Sequence, residues 1–304
     1  MGILKNKQKD QIMENNKVMP STLCAGGGDN SLNSHLSSSD AEVSLGNFKG
    51  CEDSCARSYL SGSEQAQEAN SLKSAKETTQ SLDSKAAYNE KYAKGYGVRY
   101  PEGHIIRFYE RILKYELGLT SGKVFDFGCG NGTHAEYFQS KGFRVYGVDI
   151  IKEAITQAQG IMGQRAKLIE PNQSVANLFD TQFDVVFANQ SLYYLDNANL
   201  RRQVDELYSM TRKGGICFFT MMSRQNGYGK CITKELENGL SEVTLSGRLN
   251  ERTYIRFVND ESELKIIFAP FKTLYIGEYR AFDLYEPYNS EGSSHHYMFI
   301  GQKE

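Results

Sequence analysis

The sequence predicts an α/β fold in which a mostly parallel, doubly wound sheet is covered by helices on both faces. Three observations carry this prediction. Short apolar stretches alternate with helix-like stretches from about residue 120 onward. The first apolar stretch, 124–127, runs into the glycines of G-C-G-N-G, and a helix-like stretch follows. The second, 143–148, ends at Asp149, about 20 residues after Gly128, which is the spacing at which an acid meets ribose hydroxyls.

Two helices are predicted before the first strand. Tyrosines recur every four residues from Tyr88, and Gly95 and Gly97 should end this helix near residue 94. Pro101 can begin the next helix, with Glu102 in its first turn, where a carboxylate suits the helix dipole. We expect this helix to reach about residue 117. It should place its apolar residues roughly on one side: Ile105, Ile106, Tyr109, Ile112 and Leu113.

The following elements alternate regularly. Strands are predicted at 124–127, 143–148, 166–169, 183–188 and 216–221. The stretch F-D-V-V-F-A is the clearest of them, because its apolar run is typical of a strand buried on both faces. Helices are predicted at 133–140, 152–162 and 198–210, and the glycine pair at 214–215 ends the last of them.

After residue 222 the pattern changes. Strands are predicted at 253–258, 272–279 and 296–300, with a helix over 260–268. An antiparallel pair at one edge of the sheet would fit this order. Residues 223–249 are polar and contain glycine, so we interpret them as a lid or a substrate insert.

Composition divides the chain near residue 84. Only two of the 35 aromatic residues precede this point, whereas 15 serines do. A stretch of this kind buries too little apolar surface to offset its chain entropy. We therefore expect a disordered or weakly helical extension over residues 1–84 and a folded domain over residues 85–304.

Charge and hydropathy argue against several classes of partner. A net charge of −2 gives no general attraction for nucleic acid or an anionic membrane. The chain has no apolar run of about 18 residues, and its first 20 residues lack the apolar segment of a secretory signal. Cys51, Cys55 and His35 lack a fourth metal ligand at suitable spacing, so no metal site is expected. The predicted location is the cytoplasm, and the oligomeric state stays open.

Three segments resemble the class I S-adenosylmethionine-dependent methyltransferases, most of all the members that act on small molecules. These segments read V-F-D-F-G-C-G-N-G (124–132), G-F-R-V-Y-G-V-D-I-I (142–151) and F-D-V-V-F-A-N-Q-S-L-Y-Y-L (183–195). The resemblance extends from about residue 88 to the C-terminal H-Y-M-F-I-G. It implies a seven-stranded sheet of order 3-2-1-4-5-7-6, with strand 7 antiparallel. It also implies transfer of the methyl group of S-adenosylmethionine to an oxygen or nitrogen atom of a small molecule, such as a sugar or another metabolite.

The glycine spacing is consistent with this cofactor. A dinucleotide carries a pyrophosphate, and the spacing G-x-G-x-x-G lets a helix N-terminus meet it. Here the glycines follow G-x-G-x-G, and Thr133 stands where the last glycine of the dinucleotide pattern would be. S-adenosylmethionine has no phosphate, so the loop needs only a close approach of its backbone.

The resemblance assigns cofactor contacts by position. In the family, the first loop surrounds the methionyl part, the acid after the second strand binds both ribose hydroxyls, and the next residue packs on adenine. The matching residues are Asp126, Gly128, Cys129, Gly130, Asp149 and Ile150.

Further cofactor contacts are implied after the third and fourth strands. Ser174 and Val175 match the place that holds the adenine edge, although the aspartate common there is absent. Asn189 matches the position that faces the reactive end, and Tyr194 is expected over the edge of the cofactor.

The segment before the first strand also offers cofactor contacts. Tyr92 and Tyr96 are expected to cover the sulfonium through cation–π contacts, whereas Tyr88 is better explained by core packing. Arg107 could pair with the methionyl carboxylate, and a solvated arginine is the equal alternative.

A catalytic base is needed only if the acceptor loses a proton as it attacks. The candidates are His104, Tyr193 and His296, each with a plainer alternative: a solvated histidine, a structural aromatic and a residue facing away from the pocket. His295 and His296 are adjacent on a strand, so at most one of them can face the pocket.

Other functions stay open at this point. The fourth strand is followed by Asn189-Gln190-Ser191-Leu192, without the paired prolines found in nucleic-acid amino-methyltransferases of this fold, which favours a small-molecule acceptor. The alternatives are an NAD(P)-dependent oxidoreductase and a non-catalytic S-adenosylmethionine-binding protein.

Overall fold

The computed structural model describes residue 85 and residues 88–92, 100–245, 251–281 and 294–304. The predicted extension over residues 1–84 lies outside the described residues, and so does Tyr96. The predicted domain boundary therefore stays a prediction. Among the described residues, no helix is both long enough and apolar enough to cross a bilayer.

Seven strands form the main sheet. They are β1 (Gly122–Phe127), β2 (Phe143–Asp149), β3 (Ala166–Leu168), β4 (Phe183–Ala188), β5 (Thr211–Met222), β9 (Lys272–Ala281) and β10 (Ser294–Gln302). Their order is β3-β2-β1-β4-β5-β10-β9. The first five strands pair in parallel, and β10 pairs antiparallel with both β5 and β9. The predicted strand order is confirmed, and so is the antiparallel pairing of the strand that comes last in the sequence.

Helices cover both faces of this sheet. They are α1 (Gly103–Arg107), which continues as a π-helix (Phe108–Glu116), α2 (Thr133–Ser140), α3 (Lys152–Met162), α4 (Asn197–Met210) and α5 (Glu261–Ile267). Residues of α1, α2 and α3 share a core with Val124 and Val185, whereas residues of α4 and α5 share one with Phe125 and Val186. Neighbouring residues of a strand point to opposite faces, so these apolar strands feed both cores.

The helix before β1 differs in detail from its prediction. Ile105, Tyr109 and Leu113 are buried, but Ile106 is 40% exposed. The widened turns of the π-helix keep residues spaced by four on the inner side. Ile106 therefore faces outward, and its placement on the inner side was wrong.

A second sheet occupies part of the segment interpreted as a lid or an insert. Its antiparallel strands are β6 (Ile232–Glu235), β7 (Ser241–Leu245) and β8 (Glu251–Ile255), in that order. Val243, Leu245 and Ile255 join the core under α4 and α5. The strand predicted at 253–258 thus lies partly in this second sheet. Alternating burial over only five residues in β7 explains why the sequence pattern was weak.

Candidate active site

The loop after β1 lies against the end of β2. The backbone N–H groups of Gly128 and Cys129 both donate to the carbonyl oxygen of Val148, at 2.9 and 3.0 Å. Gly128 has φ 76°, and a Cβ placed there would overlap the side chain of Ser191. A Cβ on Gly130, with φ 53°, would lie 2.7 Å from the hydroxyl oxygen of Tyr92. Both positions favour glycine, because the conformation is left-handed and the neighbours are close.

Asp149 is held by the backbone on both sides. Its Oδ2 accepts a hydrogen bond from the N–H of Gly130, and its Oδ1 accepts one from the N–H of Ile151, each at 2.9 Å. Burial raises the pKa of Asp149, and the hydrogen bonds from backbone N–H groups oppose that rise. A carboxylate has about four lone-pair sites, so this one can still accept two hydroxyl hydrogen bonds.

Asp126 lies beneath the same loop, near the end of β1. Its side chain is buried, and its Oδ2 has no hydrogen-bond partner among the described residues. Burial raises the pKa of Asp126 well above its usual value, and the charge of Asp149 adds to the rise. The carboxyl is therefore an unsatisfied polar group at the base of the loop.

A cavity of about 330 Å³ opens above these elements, and we call it the donor cavity. Nine predicted site residues line it: Tyr92, Gly128, Cys129, Gly130, Asp149, Ile150, Asn189, Tyr193 and Tyr194. A smaller cavity of about 90 Å³ adjoins it and shares the apolar side chains of Ile150 and Ile169. One wall of the donor cavity is thus formed by polar backbone groups and a carboxylate, and another wall is apolar.

Six predicted residues that the structure describes do not line the donor cavity. Ser174 is exposed, and the N–H of the buried Val175 donates to Glu206 Oε2 at 2.8 Å. Arg107 is exposed on a neighbouring groove. Asp126 lies below the loop and His296 within β10. His104 lines the same groove as Arg107. The roles predicted for these six residues stay predictions.

The segment 88–92 covers one side of the donor cavity. The hydroxyl groups of Tyr88 and Tyr194 lie 2.7 Å apart, and their rings meet edge to face with centroids 5.9 Å apart. Burial raises the pKa of Tyr194 well above its usual value, so its hydroxyl stays neutral.

A cluster of polar side chains closes the other end of the donor cavity. Asn189 donates from Nδ2 to Oε2 of Glu102 at 2.7 Å, and Gln190 donates from Nε2 to Oε1 at 2.9 Å. The backbone of Gln190 has φ 55°, and its N–H donates to Thr220 Oγ1 at 2.7 Å. Two side-chain amides after β4 therefore orient one carboxylate from the start of α1. We call Glu102, His104, His134, Asn189 and Gln190 the polar cluster.

Two histidines complete the polar cluster. Nε2 of His104 lies 3.1 Å from Asn189 Oδ1 and 3.6 Å from Glu102 Oε2. Nε2 of His134 lies 3.9 Å from the same carboxylate oxygen, and its buried Nδ1 has no hydrogen-bond partner among the described residues. Burial lowers the pKa of His104, and it lowers the pKa of His134 to about 4. Both imidazoles are consequently neutral near pH 7.

An aromatic stack lies behind the cluster. The rings of His104 and Tyr279 are 3.9 Å apart and nearly parallel, and Tyr279 stacks in turn on His296 at 5.0 Å. His296 also lies 5.7 Å from the ring of Tyr193. Burial lowers the pKa of His296 to about 3 and raises the pKa of Tyr193 well above its usual value. The imidazole of His296 and the hydroxyl of Tyr193 are therefore neutral near pH 7. Of the three predicted catalytic residues, His104 is the one that contacts Glu102 and Asn189.

Known proteins share this architecture. Residues 125–219 match the model of a family described as a methyltransferase domain. The chain is 25% identical over 161 residues to the malonyl-[acyl-carrier protein] O-methyltransferase of Hamiltonella defensa, covering 53% of this chain and 57% of that protein. It is 30% identical over 118 residues to the ubiquinone biosynthesis O-methyltransferase of Aliivibrio fischeri, covering 37% and 49%. The chain thus spans about half the length of these curated relatives.

A solved structure agrees with the sheet topology. It is an S-adenosylmethionine-dependent methyltransferase of Methanosarcina mazei, with a TM-score of 0.50, 20% identity and coverage of 67% of this chain and 98% of that one. At this identity the likeness shows the fold alone. Residues 125–219 therefore match a methyltransferase domain, and the main sheet has the fold of a class I S-adenosylmethionine-dependent methyltransferase.

The lining of the donor cavity fits S-adenosylmethionine, the cofactor of the methyltransferases that this chain resembles. Asp149 would hold the ribose hydroxyls, and the backbone of Gly128 and Gly130 would approach the methionyl part. Ile150 and Ile169 would pack on the adenine. The unsatisfied oxygen of Asp126 lies beneath the loop, where a polar ligand group or a water could bond it.

Three residues of the polar cluster were assigned no site role from the sequence: Glu102, His134 and Gln190. Glu102 had been explained by the helix dipole alone. Glu102 bonds Asn189, 87 positions away, and Gln190 bonds Tyr279, 89 positions away. One signal was available, because Gln190 follows Asn189 at the end of the fourth strand, where side chains meet ligands.

Proposed function

We propose that this methyltransferase transfers the methyl group of S-adenosylmethionine to an oxygen or nitrogen atom of a small molecule by in-line displacement. One observation carries the proposal: the donor cavity ends at a preformed polar cluster in which two amides fix the carboxylate of Glu102. A protein that only binds the cofactor has no need of an oriented carboxylate at the reactive end. The cluster therefore favours catalysis over the non-catalytic alternative.

The chemistry requires alignment before anything else. S-adenosylmethionine supplies an electrophilic methyl group on a sulfonium that departs as a thioether. The enzyme gains most by holding the acceptor atom about 3 Å from that methyl group and in line with the breaking bond. Asp149 and the glycine loop would fix the donor, and Asn189 and Glu102 would fix the acceptor.

Glu102 is suited to receive the proton that the acceptor releases. It is one of two acids lining the donor cavity, and the other, Asp149, is bound to the loop backbone. Each oxygen of Glu102 receives one amide hydrogen bond, which leaves further lone pairs for an acceptor hydroxyl or amine. The neutral imidazole of His104, 3.6 Å away, could relay the proton outward.

Two observations support a small acceptor. The residues after β4 lack the paired prolines of nucleic-acid amino-methyltransferases, and the net charge of −2 offers no general attraction for nucleic acid. Both curated relatives are named O-methyltransferases, which favours oxygen as the accepting atom. The match to a methyltransferase domain gives the oxidoreductase alternative no support.

The test combines a labelled donor with a variant of the polar cluster. Wild-type protein, S-adenosylmethionine labelled on its methyl group and metabolite extracts should give a labelled small-molecule product. Glu102→Gln keeps the shape of the side chain and removes its charge. We expect it to slow turnover by about 100-fold or more, with unchanged affinity for S-adenosylhomocysteine.

Glu110→Gln is the matched control. Glu110 lies on the π-helix, where it pairs with Lys114 at 2.9 Å, away from the donor cavity. Its substitution should leave turnover intact. Wild-type turnover in Glu102→Gln would eliminate the carboxylate as the base. Tighter binding of NAD(H) than of the methyl donor would overturn the proposed function.

A further inference from the structure

A groove of about 760 Å³ lies beside the donor cavity, between the helical segment that starts at α1 and strands β9 and β10. Glu102 lines both spaces. His104 lines the groove, and its Nε2 is 3.1 Å from Asn189, which lines the donor cavity. The groove and the donor cavity therefore meet at the polar cluster, which is where a methyl acceptor must place its reacting atom.

The inner surface of this groove is largely apolar. The half-buried side chains of Ile112, Tyr279 and Met298 form this surface. Beneath them lie Phe108, Phe218 and Ile300, which belong to the core between α1 and the sheet. Phe108 and Phe218 are tilted against each other with ring centroids 4.6 Å apart. Such a surface suits the apolar body of a ligand, because its burial removes water from both partners.

Three arginines line the groove around this apolar surface. Arg107 and Arg111 project from the helical segment, and Arg280 projects from β9. Neither Arg107 nor Arg111 makes a hydrogen bond or ion pair with any described residue, and Arg280 donates to the neutral Gln225 at 3.1 Å. None of the three arginines thus forms an ion pair within the described part of the chain.

Among the described residues, the acids of the groove form no ion pair with these arginines. Glu278 lies 2.9 Å from Nε2 of His295, and Glu102 is held by Asn189 and Gln190. The nearby Glu110 pairs with Lys114 at 2.9 Å and with Lys141 at 3.5 Å. The groove therefore combines an apolar surface with guanidinium groups that can form paired hydrogen bonds with a carboxylate or a phosphate.

We propose that this groove binds the methyl acceptor, and that the acceptor is an anionic small molecule with an apolar body. The inference rests on the proposed methyl transfer. The carboxylate or phosphate pairs with the arginines, the body lies on the apolar surface, and a separate hydroxyl or amine reaches Glu102. Arg107 and Arg111 follow Glu102 by roughly one and a half and two and a half helical turns, which places the anionic group about 10 Å from the methylated atom.

The charge of the product gives the first test. Metabolite extracts are incubated with the wild-type protein and the labelled methyl donor, and the labelled products are separated on an anion exchanger. Because the anchoring group is not the one methylated, the main labelled product should be retained. Elution with neutral or cationic compounds would overturn the inference and leave methyl transfer intact. Failure to form any labelled product, or to bind S-adenosylhomocysteine, would overturn the proposed function and the inference with it.

Substitution of the arginines gives the second test. Arg107→Gln combined with Arg111→Gln should raise the KM for the retained acceptor about tenfold or more, with kcat and S-adenosylhomocysteine affinity nearly unchanged. Added salt should weaken acceptor binding in the wild type more than in this variant, since exposed charge pairs are screened. Arg201→Gln, an exposed position on α4 at the other face of the sheet, is the matched control and should behave as wild type.

Probe ligands separate charge from apolar contact. Phenylbutyrate, phenylbutanol and phenylbutylamine share one apolar body and differ in charge, and saturation-transfer NMR can rank them with S-adenosylhomocysteine present. The carboxylate should bind best to the wild type and lose its advantage in the double arginine variant. Equal binding of all three to the wild type, or an advantage that survives in the variant, would contradict the inference.

Discussion

Replacing Asp149 by asparagine probes the donor cavity without any knowledge of the acceptor. The two side chains are nearly the same size, but the amide is neutral and presents one oxygen instead of two. In the structure the carboxylate accepts the N–H groups of Gly130 and Ile151, each at 2.9 Å. Asparagine can accept only one of them, so one N–H of the loop loses its partner. The ribose hydroxyls also lose a charged acceptor.

The size of the effect follows from the hydrogen bonds at stake. A hydrogen bond to a charged group contributes about 1.5–3 kcal/mol, so losing one such bond to the ribose weakens binding by about 10- to 150-fold. The orphaned N–H of the loop adds to the loss. We therefore expect the Kd for S-adenosylhomocysteine to rise at least about tenfold, as measured by isothermal titration calorimetry.

A second aspartate provides the control. Asp184 follows Phe183 in β4. Its Oδ2 accepts a hydrogen bond from the backbone N–H of Lys123 at 2.7 Å, and its Oδ1 pairs with Arg212. It does not line the donor cavity, so Asp184→Asn should retain wild-type affinity. Circular dichroism must show that Asp149→Asn is folded. Wild-type affinity in a folded Asp149→Asn protein would refute the assignment of this carboxylate to the ribose.

Two further predictions concern the loop and the buried histidines. Gly128→Ala should lose donor binding and lower the free energy of unfolding by about 1–3 kcal/mol, because φ is 76° and the added Cβ meets Ser191. In α3, nothing lies within 4 Å of a Cβ added at Gly160. Gly160→Ala should therefore raise the free energy of unfolding by about 0.5–1 kcal/mol. Equal denaturant midpoints for the two variants would contradict the argument. Burial lowers the pKa of His296 from 6.5 to about 3 on folding. Between these pH values the unfolded chain binds a proton at His296 that the folded chain does not bind. The free energy of unfolding therefore falls as the pH drops below 6.5. Thermal unfolding at about pH 7 and pH 5 should show a smaller acid loss in His296→Gln than in the wild type, and equal losses would show that His296 is not the source.

The parallel part of the fold was predictable because each element carries its own local signal. Helices α2 and α3 begin and end where their apolar spacing and the adjoining glycines place them, and β4 matches its apolar run. Burial on both faces makes such strands continuous apolar runs, which a single sequence displays. The second sheet was missed because β6 and β7 are four and five residues long. Runs of that length are hard to distinguish from a polar loop.

The donor cavity was predictable for the same reason that the parallel strands were. Gly128 and Asn189 directly follow β1 and β4, and Asp149 is the last residue of β2. The carboxyl ends of parallel strands meet along one edge of the sheet. The contacts around Glu102 and Gln190 follow no such rule. Glu102 precedes the sheet, Tyr279 comes from β9, and their common neighbour Gln190 lies in an unusual backbone conformation. Only the folded chain brings them together.

The family match separates the donor cavity, most of which lies within the matched residues, from the adjoining groove, most of which does not. Residues 125–219 contain every lining residue of the donor cavity except Tyr88, Tyr92 and Glu102. Of the residues that line the adjoining groove, only Phe218 falls within that range. The helical segment from α1 and the antiparallel strands β9 and β10 supply nearly all the rest. A fold that fixes the donor on its parallel strands can therefore change its acceptor by altering these outer elements alone. The arginines of the groove lie on those elements, which is where a preference for an anionic acceptor would have to arise.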